Sequence, residues 1–291
     1  MITPYKNEKV DYGAVAELTE WYIENGCSGI FAVCQSSEMF YLTLEEKVKI
    51  SETVVKTANG RLTVVASGHT ADEIERQAYE LNMIADTGID ALILVTNRLD
   101  INDEGQKVWF SNAEKLLGLL NDDVALGFYE CPKPYKKLLT PEMIRLCAEN
   151  ERFRFIKDTC CSLETLSDRL DRLKDSRVML FNANGQTLLE SLKKGAAGYS
   201  GVMANFCPDL FVKLCNDPAG PKAEALADAL SLLSFTEDSF YPMTAKYYLK
   251  LCGLSIGEES RSCGNRQFGS YQKMWVEQLY RYINKLREET L

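Results

Sequence analysis

A lysine at the end of an apolar run is the first residue in this chain suited to covalent chemistry. Phe153-Arg154-Phe155-Ile156 leads into Lys157 and then Asp158-Thr159. A lysine closing a buried strand loses hydration, which disfavours the ammonium and lowers its pKa. A neutral amine can attack a ketone and form an imine, an electron sink for carbon–carbon chemistry. The plainer reading is a strand-end lysine that snorkels to solvent. Tyr129 closes the preceding run, Val124–Tyr129, and a phenol there can shuttle protons beside the amine or simply pack as an aromatic. Ser36 and Ser37 follow the run Ser28–Val33, with Gln35 before them, where they can donate to a carboxylate or form a turn. His69 is the only histidine, which removes most of the material for Ser-His-Asp triads and histidine-rich metal sites. It follows the run Leu62–Ala66 and reads as a loop residue or a site residue.

These residues fall at the ends of short apolar runs, and the runs recur. Ser28–Val33, Leu62–Ala66, Ala91–Val95, Val124–Tyr129, Phe153–Lys157, Val178–Phe181 and Ala197–Ser200 alternate with amphipathic segments. Buried parallel strands have this character. Asp11–Glu24 carries Val15, Leu18, Tyr22 and Ile23 on one stripe. Thr43-Leu44-Glu45-Glu46 and Thr70-Ala71-Asp72-Glu73 read as capping boxes, and Thr140-Pro141 places proline at a first helical position. Seven strand–helix units are clear, and Met1–Pro4 is the candidate for an eighth strand. Beyond residue 201 only helices are expected: Val202–Cys215, Lys222–Ser234, Tyr241–Leu251 and Tyr271–Glu289. The expected fold is α/β, a (β/α)8 TIM barrel over 1–215 with a C-terminal helical appendage over 216–291. An open doubly wound sheet is the runner-up, but its usual G-x-G-x-x-G is missing.

Composition narrows the function classes. The 291 residues carry a net charge of −9, which argues against a nucleic-acid partner. No apolar run approaches bilayer length and no signal-peptide pattern opens the chain, so a cytoplasmic protein with no membrane partner is expected. Ten cysteines form no C-x-x-C pair and read as reduced packing residues. Asp100-Ile101-Asn102-Asp103-Glu104-Gly105 starts like a calcium loop, but Ser111 takes the place of its closing glutamate; no metal is expected.

In a barrel the reactive groups lie at the C-terminal ends of strands. Taken in order, those ends resemble the dihydrodipicolinate synthase / N-acetylneuraminate lyase family. Thr3-Pro4-Tyr5 is similar to its opening T-P-F, and Cys34-Gln35-Ser36-Ser37-Glu38 to its G-[ST]-T-G-E loop. Tyr129-Glu130-Cys131-Pro132 resembles Y-N-x-P, and Ile156-Lys157-Asp158-Thr159 the Schiff-base segment I/F-K-x-[ST]. Gly195-Ala196-Ala197-Gly198-Tyr199-Ser200-Gly201 with Ala204-Asn205 resembles G-x-x-G-x-I-S…N. The resemblance implies a homotetrameric lyase without a separate cofactor. Lys157 would form the imine with pyruvate or a similar 2-oxo acid, and Tyr129 would move protons. Ser36 would hold the carboxylate, with Gln35, Ser37 and the Ser200 backbone lining the pocket.

The departures bear on the second substrate. Gln35 replaces a relay hydroxyl, while Cys34 and Ser37 replace glycines. Thr96-Asn97-Arg98-Leu99-Asp100 stands in place of T-P-Y-Y-N, so Leu99 replaces the tyrosine that reaches a neighbouring subunit. Pro134 takes the slot of an arginine that grips the second carboxylate, and Asn182-Ala183-Asn184-Gly185 replaces a Gly-Asp pair. The leading expectation is therefore an aldolase acting on a hydroxylated 2-oxo acid, with weak or absent lysine-pathway synthase activity. Arg98, Lys133, Asn182, Asn184 and Gln35 are its specificity candidates. A dihydrodipicolinate synthase with a rebuilt relay and a non-catalytic 2-oxo acid sensor are the alternatives.

Overall fold

All five residues of Ala91–Val95 are buried, as a strand covered on both faces requires. The computed structural model describes residues 1–264 and 266–290; Asn265 and Leu291, both in the expected appendage, lie outside the described residues. An antiparallel hairpin comes first, β1 (Tyr5–Lys6) and β2 (Lys9–Val10). Seven parallel strands follow in sequence order: β3 (Gly29–Phe31), β4 (Thr63–Ala66), β5 (Ala91–Val95), β6 (Ala125–Tyr129), β7 (Phe153–Asp158), β8 (Met179–Asn182) and β9 (Gly198–Tyr199). Helices α1 (Tyr12–Glu24), α2 (Leu44–Ala58), α3 (Ile74–Ala85), α4 (Gln106–Leu117), α5 (Pro141–Glu149), α6 (Leu163–Leu173), α7 (Leu188–Lys193) and α8 (Pro208–Asn216) alternate with them. Then come α9 (Ala223–Ser234), α10 (Met243–Leu251) and α11 (Ser270–Thr290). No described helix is long and apolar enough to cross a membrane, and all ten cysteines are free.

The architecture is that of a TIM barrel, with one correction to its eighth stave. Met1–Pro4 forms no regular strand. It is buried beside β3, where the Met1 amine donates to Phe31 O at 2.7 Å. A chain turning into the β1–β2 hairpin at Tyr5 has no room for a regular ladder. The helix Val202–Cys215 is also broken, into a 3-10 turn at Val202–Asn205 and then α8. Pro208 enforces the break, since the residue before a proline avoids helical geometry.

Two of the three expected helix starts form as the sequence suggests. Thr43 and Glu46 cap α2 reciprocally at 3.2 and 3.0 Å, and Thr140 caps α5 with Pro141 in its first turn. The box at Thr70–Glu73 does not form, and α3 starts after Glu73 without a side-chain cap. Thr70 is committed elsewhere: its hydroxyl accepts from Lys47 Nζ at 2.7 Å and its amide donates to Glu80 at 2.8 Å.

His69 is part of this framework. β4 and β5 pair only through Val65–Ala91 and Ala66–Leu92 and then diverge. The fully buried imidazole fills the gap, with Nε2 accepting from Val95 N at 2.7 Å. That leaves the proton on Nδ1, which donates to Gln77 Oε1 at 2.8 Å. Burial is the main force lowering its pKa, from 6.5 to about 3. A proton on Nε2 would face the Val95 N–H. The folded chain thus refuses a proton that the unfolded chain accepts, and stability is lost as pH falls through 6.5 toward 3. Replacing His69 with Gln removes this loss. Urea unfolding from pH 7 to 4 is expected to show wild type falling faster than His69→Gln by about 1.4 kcal/mol per pH unit. Parallel curves for the two proteins would refute the assignment.

Candidate active site

A bulge decides which way Lys157 points. Leu126 of β6 pairs with Phe153 of β7, but Gly127 pairs with Phe155, so β7 carries one extra residue. The extra residue reverses the face of everything after it. Phe153 points out to the helices, stacked at 5.0 Å on Phe128, which lies 5.4 Å from Trp109 of α4. Phe155 points into the barrel, 6.1 Å from Phe31 and 5.0 Å from Phe181. Lys157, two residues on, shares that inward face. Gly127 permits the close approach, because a Cβ there would meet Phe155 O at 2.6 Å and Ile93 Cδ1 at 2.7 Å.

The same register sets Tyr129 opposite Lys157. The lysine Nζ lies 4.6 Å from the centre of the Tyr129 ring and 5.7 Å from that of Phe31. Lys157 is buried, and burial lowers its pKa, opposed by Cys34, Cys131 and Glu237. Tyr129 is also buried, and burial, reinforced by Cys131 and Cys34, raises its phenol well above the usual value. The Cys131 thiol beside it is pushed to about 11 by burial, so it keeps its proton at neutral pH. That thiol donates to Gln35 Oε1 at 3.1 Å. Tyr129, Cys131 and Gln35 therefore form a neutral chain at the barrel mouth.

The other expected site residues divide into two groups. Ser36 is half-buried, and its hydroxyl counteracts the burial that raises the Tyr241 phenol. Ser200 alternates with Tyr199 and lies on the inward face, its amide bonded to Asn182 O at 2.8 Å. Ser37 is fully buried and held by its own turn: its hydroxyl accepts from Cys34 N at 2.9 Å and donates toward Ala32 O at 2.8 Å. It shapes the loop and is not free to bind substrate. Three specificity candidates are likewise engaged by other protein groups, Arg98 by the loop after β4 and the two asparagines by their own segment. Arg98 grips Thr70 O, Ala71 O and Asp72 at 2.7 to 2.9 Å. Asn182 bonds Thr187 and Ser191 at 2.9 and 3.0 Å, and Asn184 bonds Gln186 at 2.7 Å. Lys133 is exposed, and its carbonyl accepts from Asn97 at 2.9 Å.

The sequence reading missed residues on both sides of the strand ends. On the outer side, Glu130 and Asp158 are fully buried and share one cation, Arg169 of α6. Arg169 reaches Glu130 at 2.7 Å, Asp158 more closely still, and Leu139 O at 2.7 Å. Glu130 also accepts from Leu139 N at 2.7 Å and Thr159 N at 2.8 Å. On the inner side, Glu237 and Tyr241 come from the segment between α9 and α10. No motif marks them. Glu38, the last residue of the loop motif, ties the barrel to this region through Lys246 at 3.0 Å and Ser260 at 2.9 Å.

A buried lysine and tyrosine, side by side at the mouth of a parallel barrel, are the arrangement that the resemblance to the aldolase-type family implies. The comparisons agree. The chain belongs to the dihydrodipicolinate synthetase family, whose model matches residues 1–264. It is 30% identical over 219 residues to the 4-hydroxy-tetrahydrodipicolinate synthase of Methanocaldococcus jannaschii, covering 74% of this chain and 72% of that one. The synthase of Staphylococcus haemolyticus is 27% identical over 217 residues, 74% and 71% of the two chains. A crystal structure of a dihydrodipicolinate synthase superposes with a TM-score of 0.83 at 25% identity, over 98% of this chain and 97% of the other. A prophage protein of the same family from E. coli K12, solved with pyruvate, has the same fold (TM-score 0.85, 17% identity, 97% and 96% coverage). The enzyme class is thus lyase, of the aldolase type.

The Arg169 network yields a stability test. Replacing Arg169 with Met leaves two buried carboxylates without a cation and is expected to cost about 3–5 kcal/mol. Adding Glu130→Gln and Asp158→Asn to Arg169→Met should recover part of that loss, as read from urea midpoints. If Arg169→Met alone is neutral, the shared cation does not hold these strand ends.

Proposed function

We propose that the protein is a Schiff-base aldolase that interconverts a hydroxylated 2-oxo acid with pyruvate and an aldehyde. The observation that carries this reading is the buried Lys157 amine, 4.6 Å from the Tyr129 ring and short of hydration. In the cleavage direction the neutral amine attacks the C2 carbonyl. A C–N bond forms and the carbonyl oxygen leaves as water. The Tyr129 phenol gives its proton to that departing water, and the phenolate so formed takes the proton of the C4 hydroxyl as the C3–C4 bond breaks. Its electron pair enters the imine as an enamine, and the aldehyde departs. Protonation at C3 and hydrolysis then release pyruvate and restore Lys157. Because the substrate is bonded directly to the protein, this route needs no separate cofactor. In this reading Ser36 would donate to the 2-oxo acid carboxylate, and Ser200 would line the same pocket.

One observation favours a second reading. Gln35 and Cys131 lie at 3.1 Å beside Tyr129, so a rebuilt proton chain can serve a dihydrodipicolinate synthase, the activity named for the relatives above. Pro134, exposed where the synthases are expected to carry a carboxylate-binding arginine, weighs against it.

Incubation with pyruvate and borohydride should add one reduced pyruvate to Lys157, seen by peptide mass mapping, and Lys157→Arg should abolish it. No adduct at Lys157 would sink the imine reading. Tyr129→Phe should keep the adduct and lower aldol turnover by about 10²–10⁴. Efficient turnover of pyruvate with aspartate semialdehyde would favour the synthase.

A further inference from the structure

One carboxylate oxygen at the barrel mouth is buried without a hydrogen-bond partner: Oε2 of Glu237. Its position is fixed from both ends of a short segment. On one side the last turn of α9 docks on the loop after β8. Ser231 donates to Gly185 O at 3.3 Å, and Gln186 donates to Ser231 O at 3.1 Å. The contact is close enough that a Cβ at Gly185 would lie 2.4 Å from Ser234 Oγ. On the other side the Tyr241 hydroxyl accepts from Asn205 Nδ2 at 3.1 Å, and Asn205 in turn accepts from Tyr22 at 2.7 Å. Asn205 belongs to the turn after β9. Residues 235–240 therefore cross the ends of β8 and β9, with Glu237 midway.

Three groups on different elements feel this carboxylate. It raises the pKa of Lys157 on β7, of Tyr199 on β9 and of Tyr241 before α10. In return, burial and Asp238 raise Glu237 to about 7 while Lys157 pulls it down. Tyr199 is not its hydrogen-bond partner. That phenol lies in the outward layer, stacked at 3.9 Å on Phe211, and its hydroxyl has no partner of its own. The neighbouring Ser234 hydroxyl donates to Leu230 O at 2.9 Å instead. A buried carboxylate oxygen without a donor is costly to maintain, so it calls for a ligand group.

We propose that Glu237 is the binding residue for the second substrate, and that it selects a neutral hydroxyaldehyde over an acidic one. This rests on the imine reading of Lys157 given above. A hydroxyl on the aldehyde fragment can donate to Oε2 and accept from the inward Ser200 hydroxyl. A carboxylate on that fragment would instead meet Glu237, with Pro134 offering no compensating cation. An ammonium would lie against the positive iminium on Lys157. Glu237 therefore supplies discrimination that the expected arginine would have reversed.

The test uses two aldehydes of nearly equal size, glycolaldehyde and glyoxylate, each condensed with pyruvate by the full-length protein. At pH 8.5, above the Glu237 value of about 7, wild type should favour glycolaldehyde in kcat/KM. Glu237→Gln, which keeps the shape and removes the charge, should shrink that preference by at least about tenfold, partly through a rise with glyoxylate. A gain of that kind cannot come from misfolding. If Glu237→Gln lowers both aldehydes equally and leaves the ratio intact, the residue serves the imine and not the aldehyde, and the proposal fails. A wild-type preference for glyoxylate also overturns it. The pyruvate–borohydride adduct of wild type separates the two levels. Its absence removes the imine reading, whereas an adduct with an unchanged aldehyde ratio removes only the role of Glu237.

Discussion

Two buried carboxylates flank the strand ends that carry Lys157 and Tyr129, and a single guanidinium bridges both. Glu130 follows Tyr129, Asp158 follows Lys157, and Arg169 lies between them with almost no exposure. Strand alternation turns each carboxylate outward and its neighbour inward. The chain thereby keeps the charges of Glu130, Asp158 and Arg169 on the helix side of the sheet, away from the amine, phenol and thiols of the barrel mouth. Glu130 also ties Leu139 N and Thr159 N, and Arg169 takes Leu139 O, so the loops after both strands hang from this one group. The two carboxylates next to the pair in sequence are thus engaged on the other face, and the one that acts on Lys157 is Glu237, from the segment between α9 and α10.

The run of strands, and the placing of Lys157 and Tyr129 at neighbouring strand ends, were legible because parallel strands buried on both faces read as continuous apolar runs. What such runs cannot reveal is an inserted residue. Phe153, Phe155 and Lys157 have the spacing of one face, yet the bulge sends Phe153 outward and the other two inward. Met1–Pro4 was expected as a strand by count, whereas its path is set by the hairpin that follows. Polar residues at strand ends were the least legible. Arg98, Asn182 and Asn184 have the chemistry of ligands, but their partners are nearby backbone and side-chain groups that only the fold assembles. Thr70 has the spacing of a cap and is diverted by Lys47 and Glu80, both distant in sequence or on the next turns. Glu237 escaped notice for the opposite reason. It lies in a short segment between helices, where no strand end announces a site.

The balance of forces on Lys157 also fits the imine route. Burial pushes the amine toward neutrality, while the faces of Tyr129 and Phe31 at 4.6 and 5.7 Å favour a cation. For the free lysine these effects oppose each other, and burial prevails. Once an imine forms and is protonated, the positive charge is part of the reacting group. The rings then stabilise a species that gathers electrons from the breaking bond, and that stabilisation is absent for the neutral amine. An interaction stronger in the reacting complex than in the free enzyme is the kind that speeds a reaction. Gln35 suits the same arrangement. A carboxylate in its place would raise the lysine pKa and hold the ammonium, whereas an amide can accept from Cys131 without adding charge. Gln35 therefore adds no charge beside the Lys157 amine.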